Sequence, residues 1–202
     1  MVANRVVLAS SNKGKLRELQ QLLQQREVEL LPQSEFGVAD AEETGLSFVE
    51  NAIIKARHAC DFTGLPSVAD DSGIEVDALN GEPGIYSARY SGVKGDGADE
   101  ANNRRLLKAL ENFTENERTA RFRCIIVYLR HATDPVPLIC QGTWEGRILT
   151  EASGSNGFGY DPIFYVPTHQ CSSAELPQEV KDAISHRGQA LQKLLTCWSS
   201  LP

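Results

Sequence analysis

Ala69-Asp70-Asp71-Ser72-Gly73 sets two adjacent carboxylates after a short apolar run, Leu65 to Ala69, and directly before a hydroxyl and a glycine. The order predicts a strand that delivers its acids to a sheet end, where Gly73 permits a sharp turn. Hard oxygens grouped in this way suit Mg²⁺, which is usually held by one or two carboxylates together with phosphate. A capped turn accounts for the same residues, since Asp and Ser are favoured in turns. Glu42 and Glu43 supply two further acids, which either converge on the same cation or form a solvated loop. Spacing alone does not choose.

Three other constellations could bind or react. Ser10-Ser11-Asn12-Lys13-Gly14-Lys15 lies between an apolar stretch and a helical pattern, so its amides, hydroxyls and lysines could cradle an anion. Ordinary helix capping explains it equally. It is not a P-loop, because Ala9 stands where the first glycine belongs and Leu16 where Ser or Thr is required. In Phe158-Gly159-Tyr160-Asp161-Pro162-Ile163-Phe164 the rings offer a stacking face for a base, and Asp161 an acceptor for ring N–H groups; a core cluster beside a turn reads the same way. Lys181 with Ser185-His186-Arg187 brings donors suited to phosphate or to a base carbonyl, unless the run is simply a solvated helix face. His58 and His131 carry no assigned role.

The elements that must position these groups follow from periodicity. Arg5–Ala9 reads as a strand, and Leu16, Leu19, Leu22 and Leu23 as one face of a helix. Val28–Leu31 is a second strand, stopped by Pro32. Ser47-Phe48-Val49-Glu50 is a capping box opening a helix with Ala52, Ala56 and Cys60 on its apolar stripe, while Asn51 and Lys55, four apart, share another face. Ile74, Val76 and Ala78 alternate with acids as in a strand, and Asn80–Gly84 is a turn. Ala101–Leu110 reads as a helix. Thr119–Arg130 is a long strand with Ala120, Phe122, Cys124, Ile126 and Tyr128 on one side, partnered by Leu138–Trp144. Gly154–Gly159 must be a loop, and the tail holds helical pieces at Gln178–Ile184 and Gln189–Trp198. The order implies an α/β fold with a mixed sheet.

The 202 residues fit one domain of two lobes spanning 1–202. The net charge of −7 argues against a broad nucleic-acid surface, yet a small polyanion needs only a local group of Lys and Arg. No apolar run approaches the roughly 20 residues of a membrane span, and the opening stretch is too short and too soon interrupted for a secretory signal. Five widely spaced cysteines without C-x-x-C fit a reduced compartment, hence the cytoplasm, and indicate neither a disulfide framework nor a zinc site.

In this order the pieces resemble the inosine triphosphate pyrophosphatase family. The matching motifs are Ser10-Ser11-Asn12 with Lys15, Glu42-Glu43-Thr44-Gly45, Glu50-Asn51-Ala52 with Lys55-Ala56, and Ala69–Gly73. Pro83-Gly84-Ile85-Tyr86-Ser87-Ala88-Arg89-Tyr90, Phe158-Gly159-Tyr160-Asp161-Pro162 and Ser185-His186-Arg187 complete them, from about residue 5 to about 195. The resemblance implies hydrolysis of non-standard purine nucleoside triphosphates (ITP, dITP, XTP) to monophosphate and pyrophosphate. It implies that Ser10, Ser11, Asn12, Lys13, Gly14 and Lys15 hold the triphosphate, with Lys55 on the phosphate side. Glu42 and Asp71 would bind Mg²⁺, Asp71 would also accept the proton of the attacking water, and Ser72 would touch the substrate. Phe158, Gly159, Tyr160, Asp161, Lys181, His186 and Arg187 would enclose base and sugar. The implied fold is an elongated, curved mixed sheet in two lobes with a central cleft, and the implied assembly a homodimer.

Departures are modest. Ser10-Ser11-Asn12 stands where the family often has Thr-Gly-Asn, and Ser173-Ala174-Glu175-Leu176 where many members carry Met-Ala-Glu-Leu. Neither removes a titrating or metal-binding group. Donors His186 and Arg187 would suit the six-position carbonyl of hypoxanthine or xanthine and be left unpaired by adenine. Two alternatives are a septum-inhibitor-type pyrophosphatase acting on pyrimidine or modified nucleotides, and a nucleotide-binding module without catalysis. Phe158–Asp161 and Ser185–Arg187 favour the purine type; Glu42, Asp71 and Lys15 favour an enzyme.

Overall fold

A computed structural model describes residues 4–10, 19–20 and 28–198. Its strands are β1 (Asn4–Leu8), β2 (Val28–Pro32), β3 (Ser67–Val76), β4 (Thr119–Leu129), β5 (Leu138–Ile148), β6 (Phe164–Val166) and β7 (Cys171–Ser172). They form one sheet in the order β2-β1-β3-β4-β5-β6-β7. β1 runs parallel to β2 and β3, whereas β6 is antiparallel to both β5 and β7, so the sheet is mixed, as expected. The α-helices whose full extent lies among the described residues are α1 (Phe48–Thr63), α2 (Ala98–Ala109), α3 (Gln178–Ile184) and α4 (His186–Trp198). Among the described residues no helix is long and apolar enough to cross a membrane.

Two compact units are distinguished. The first comprises Met1–Asp71, Cys124–Gln141 and Ala190–Pro202; the second comprises Ser72–Arg123 and Gly142–Gln189. In the first, side-chain alternation builds a core on each sheet face. Val6, Leu8, Val68, Ile126 and Tyr128 pack with Ala190, Leu191, Leu194 and Trp198. Val7, Ala69, Val127 and Leu129 pack with Ala52, Ala56 and Ala59 of α1. These small residues let the helix backbone approach the sheet closely. The second unit gathers Ile74, Phe122, Trp144 and Phe164 with Leu106 of α2 and Leu110 just after it.

α1 begins as the sequence predicts. Ser47 Oγ accepts from the Glu50 amide, and Glu50 accepts in return from Ser47 Oγ and the Leu46 amide. The helix ends at Gly64, whose left-handed backbone lets its N–H reach the Cys60 carbonyl. Pro32 proves compatible with β2, because β2 is an edge strand and needs no donor on its open side.

One expectation is overturned. The sheet does not end at Asp70–Gly73: β3 runs ten residues, straight through both acids and the glycine. Among the described residues β1 pairs with β3 only at Ser67 and Val68, and beyond Val68 the strand continues as the neighbour of β4. The buried run and the following alternation are one strand. β5 is likewise longer than predicted, and β6 and β7, too short for a clear periodic signal, were not anticipated. Leu19 is buried and Leu19–Gln20 are helical. Ser11, Asn12, Lys13, Gly14 and Lys15, and Leu16, Leu22 and Leu23 of the predicted helix, lie outside the described residues.

Candidate active site

The first unit carries an acid cluster built on β3 and α1. Because successive side chains of a strand point to opposite faces, Asp71 follows Ala69 toward α1, and Asp70 takes the other face. α1 meets Asp71 with two residues one turn apart. Lys55 Nζ donates to Asp71 Oδ1 at 2.8 Å and to Glu43 Oε1 at 3.1 Å. Asn51 Nδ2 donates to Asp71 Oδ2 at 3.4 Å, and its Oδ1 accepts from the Gly45 amide at 2.8 Å. Asn51 thus ties the 42–45 loop to the same carboxylate. Gly45 is needed for that approach: a Cβ there would lie 2.6 Å from Glu50 Cβ and 2.7 Å from Asn51 Oδ1.

Three carboxylates therefore act on one lysine. Burial alone would lower the Lys55 pKa, but Asp70, Asp71 and Glu43 together raise it. Asp71 is also raised, and burial is the largest cause; Lys55 opposes it, while Glu43 and Asp70 add to it. A simple ion pair would instead depress the acid. The difference arises because one ammonium cannot compensate burial plus two neighbouring acids. Asp71 is thus a better proton acceptor than an exposed aspartate. Glu42 is exposed, and Glu43 is the acid that shares Lys55 with Asp71. Ser10 follows β1 and is half-buried.

The second unit carries an aromatic and basic cluster. Phe158 projects from the 154–159 loop and is half exposed, with Lys181 Nζ 5.2 Å and Arg187 Cζ 5.7 Å from its ring centre. Asp161 is buried, accepting from Lys181 Nζ at 2.5 Å, the Phe158 amide at 2.8 Å and Ser173 Oγ at 2.8 Å. Its oxygens hold the loop and the lysine, which differs from the acceptor for a base that the sequence suggests. Gly157 is forced by this packing, since a Cβ would fall 2.2 Å from Asp161 Oδ2. Tyr160 lies in the core, its hydroxyl donating to the Ser87 carbonyl at 2.8 Å, so Phe158 is the ring left open for stacking. His186 stacks on Phe122 with ring centres 4.7 Å apart and planes 9° apart. Arg187 Nη2 donates to Ser72 Oγ at 3.3 Å, bringing the α4 start to the residue after Asp71.

Among the residues expected at the site, Lys55 joins Asp71, and Phe158, Asp161, Lys181 and Arg187 join one another. Asn51, Ser173 and the stacking partners Phe122 and Trp144 were not assigned roles beforehand. For Asn51 the signal was present, as its four-residue spacing from Lys55 places both on one helix face.

An α/β sheet bearing a lysine-bridged acid cluster in one unit and a cation-flanked open ring in the other defines a protein of the nucleotide-handling class. The chain belongs to the Ham1 family, whose profile matches residues 6–197. It is 62% identical to the dITP/XTP pyrophosphatase of Thioalkalivibrio sulfidiphilus, covering 95% of this chain and 96% of that one. It is 58% identical to the dITP/XTP pyrophosphatase of Vibrio parahaemolyticus, covering 94% of each. A HAM1 protein from Coxiella burnetii superposes with a TM-score of 0.93 at 53% identity, covering 98% of this chain and 99% of that one. Membership in a nucleotide pyrophosphatase family brings with it a nucleotide substrate and, in general, a divalent cation.

Proposed function

We propose that this protein hydrolyses non-standard purine nucleoside triphosphates, ITP, dITP and XTP, to the monophosphate and pyrophosphate, removing them from the nucleotide pool. The reading is carried by the Asp71–Lys55–Glu43 cluster, in a chain 62% identical to a dITP/XTP pyrophosphatase. Asp71 accepts the proton as water oxygen bonds to the α-phosphorus and the bond to the bridging oxygen breaks, releasing pyrophosphate. Its raised pKa supports that role. Lys55 orients the carboxylate, and Ser10 to Lys15 hold the triphosphate. Phe158 stacks on the purine, Ser72 contacts substrate, and Gly159, Tyr160, Asp161, Lys181, His186 and Arg187 shape the base and sugar side.

The cation is Mg²⁺. Mg²⁺ commonly takes one or two carboxylates and completes its shell with water and substrate phosphate. Asp71 with Glu42 or Glu43 supplies hard oxygens of the right kind. When bound, Mg²⁺ lowers the pKa of water and neutralises charge developing on phosphate. We further propose one pyrophosphatase domain over 1–202, a homodimer, and a cytoplasmic location, supported by the family resemblance and by five free cysteines.

Pyrophosphate release from ITP, XTP, GTP, ATP and UTP tests the reading. ITP and XTP should turn over with Mg²⁺, and excess EDTA should stop the reaction. Asp71→Asn should still bind ITP and lose at least about 10²-fold in kcat. A variant as fast as the parent, or a preference for UTP over ITP, would overturn the assignment.

A further inference from the structure

Pro83–Tyr90 and Phe158–Pro162 are motifs joined directly by the Tyr160–Ser87 hydrogen bond and also bridged by α2, a helix with no motif of its own. Asn102 Oδ1 accepts from the Ser91 amide at 2.7 Å, and its Nδ2 donates to the Ala88 carbonyl at 3.3 Å. Arg105 donates to the Tyr90 carbonyl and lies over the Tyr90 ring. On a neighbouring stripe of the same helix, Asp99 Oδ2 accepts from the Gly159 amide at 2.7 Å and Asn103 Nδ2 donates to the Gly159 carbonyl at 3.0 Å. Asn103 Oδ1 has no partner among the described residues, so Gly159 is the group that orients this amide.

We infer that Asp99 and Asn103 are positioning residues for base recognition, clamping both backbone groups of Gly159 so that Phe158 is held at a fixed height beside Lys181 and Arg187. The inference rests on the functional reading above, in which Phe158 meets the purine. Phe158 is half exposed, and on its own loop its amide is fixed through Asp161. The Gly159 clamp is the second anchor, and it comes from a helix outside the loop. Residues 99 and 103 are four apart, so one helix face presents an acceptor and a donor at the spacing one residue's N–H and C=O require. Without the clamp the ring would sample more orientations in the free protein, and substrate binding would have to order it.

The experiment compares isosteric variants with truncations. Asp99→Ala and Asn103→Ala should raise KM for ITP about three- to tenfold with kcat within about twofold, as expected for one lost hydrogen bond acting on binding. Asp99→Asn keeps an acceptor oxygen and should restore most of the loss, whereas Asn103→Asp presents a carboxylate to a carbonyl and should not. Exchange of the Gly159 amide, followed in nucleotide-free protein, should quicken in Asp99→Ala. Equal behaviour of Asp99→Asn and Asn103→Asp, or an unchanged KM in truncations, would overturn the inference. If the truncations fail to fold, the isosteric pair decides. A parent that releases no pyrophosphate from ITP refutes the functional reading, and the clamp's role falls with it; an active parent with indifferent variants refutes the clamp alone.

Discussion

Replacing Lys55 by methionine removes a cation that both Asp71 and Glu43 contact, while keeping an unbranched side chain of similar length. The Lys55 and Asp71 side chains are 14% and 12% exposed, so the pair is largely dehydrated. Removing one partner of such a pair leaves an uncompensated charge, at a cost of about 3–5 kcal/mol. At about 3 °C per kcal/mol for a chain of this size, Lys55→Met should melt roughly 9–15 °C below the parent at pH 8. The deficit should depend on pH in a definite direction. Asp71 already has a folded-state pKa above its ordinary value, because burial outweighs the pull of Lys55. A carboxyl so raised favours the folded state while protonated and loses that contribution as pH rises through the folded value. Without Lys55 the value climbs further, so the gap to the parent should shrink as pH falls from 8 toward about 5 and widen again on return. Lys55→Met/Asp71→Asn should be about 2 kcal/mol less destabilised than the sum of the single changes, since the stranded charge is gone. Thermal unfolding at pH 5.5 and 8 reads all of this. A pH-independent deficit, or strict additivity in the double variant, would refute the account of the cluster.

Asp134 is buried and accepts from the Arg130 amide, the Arg130 guanidinium and the Val136 amide, with Arg130 holding its carboxyl well below the usual carboxylate range. Asp134→Ala should cost about 2–3 kcal/mol near neutral pH. In the parent this contribution, fully present above about pH 4, should fade as pH drops further, which acid titration of stability would reveal. Gly157→Ala should disturb the Asp161–Lys181 pair, because its Cβ cannot coexist with Asp161 Oδ2, and ITP binding should weaken more than melting temperature falls; a parent-like KM would contradict this. Burial, the largest cause, pushes the Cys140 thiol up to about 11, and the neighbouring Cys197 adds to it. Only about one part in 10³ is thiolate at pH 8, so Cys140 should be the slow site in iodoacetamide labelling read by peptide mass.

What the sequence made legible divides along physical lines. Long periodic segments read correctly: β1, α1, α2, β4 and the onset of β5 are set by local pattern and capping, and the β4 face that starts with Arg121 and Arg123 becomes apolar at Ile125, Val127 and Leu129. Local pattern failed where long-range pairing decides. Asp70-Asp71-Ser72-Gly73 has the composition of a turn, yet β3 runs through it as the neighbour of β4, and α1 provides the counter-charge that a turn would have sought from water.

The same failure explains the acids. Adjacency in sequence suggests a joint pair of ligands, but adjacency in a strand sends Asp70 and Asp71 to opposite faces, so only one of them can meet α1. Asp71 then takes its partners from 16 and 20 residues earlier in the chain, on a helix whose capping box fixes where Asn51 and Lys55 fall. Glu43 enters the cluster through Lys55, which also contacts Asp71, and the 42–45 loop is tied to α1 by the Gly45–Asn51 bond, a contact that Gly45 permits by lacking a side chain. The capping residue Ser47, the loop glycine and the helix spacing therefore determine which of two neighbouring glutamates shares the lysine. If that chain of causes is right, lengthening the 42–47 loop by one residue should displace Glu43 from Lys55 and lower the Lys55 pKa, since one of its three acids would be withdrawn while burial remained. Lysine-specific NMR titration of the insertion variant against the parent measures that shift; an unmoved Lys55 would mean that Asp70 and Asp71 alone govern it.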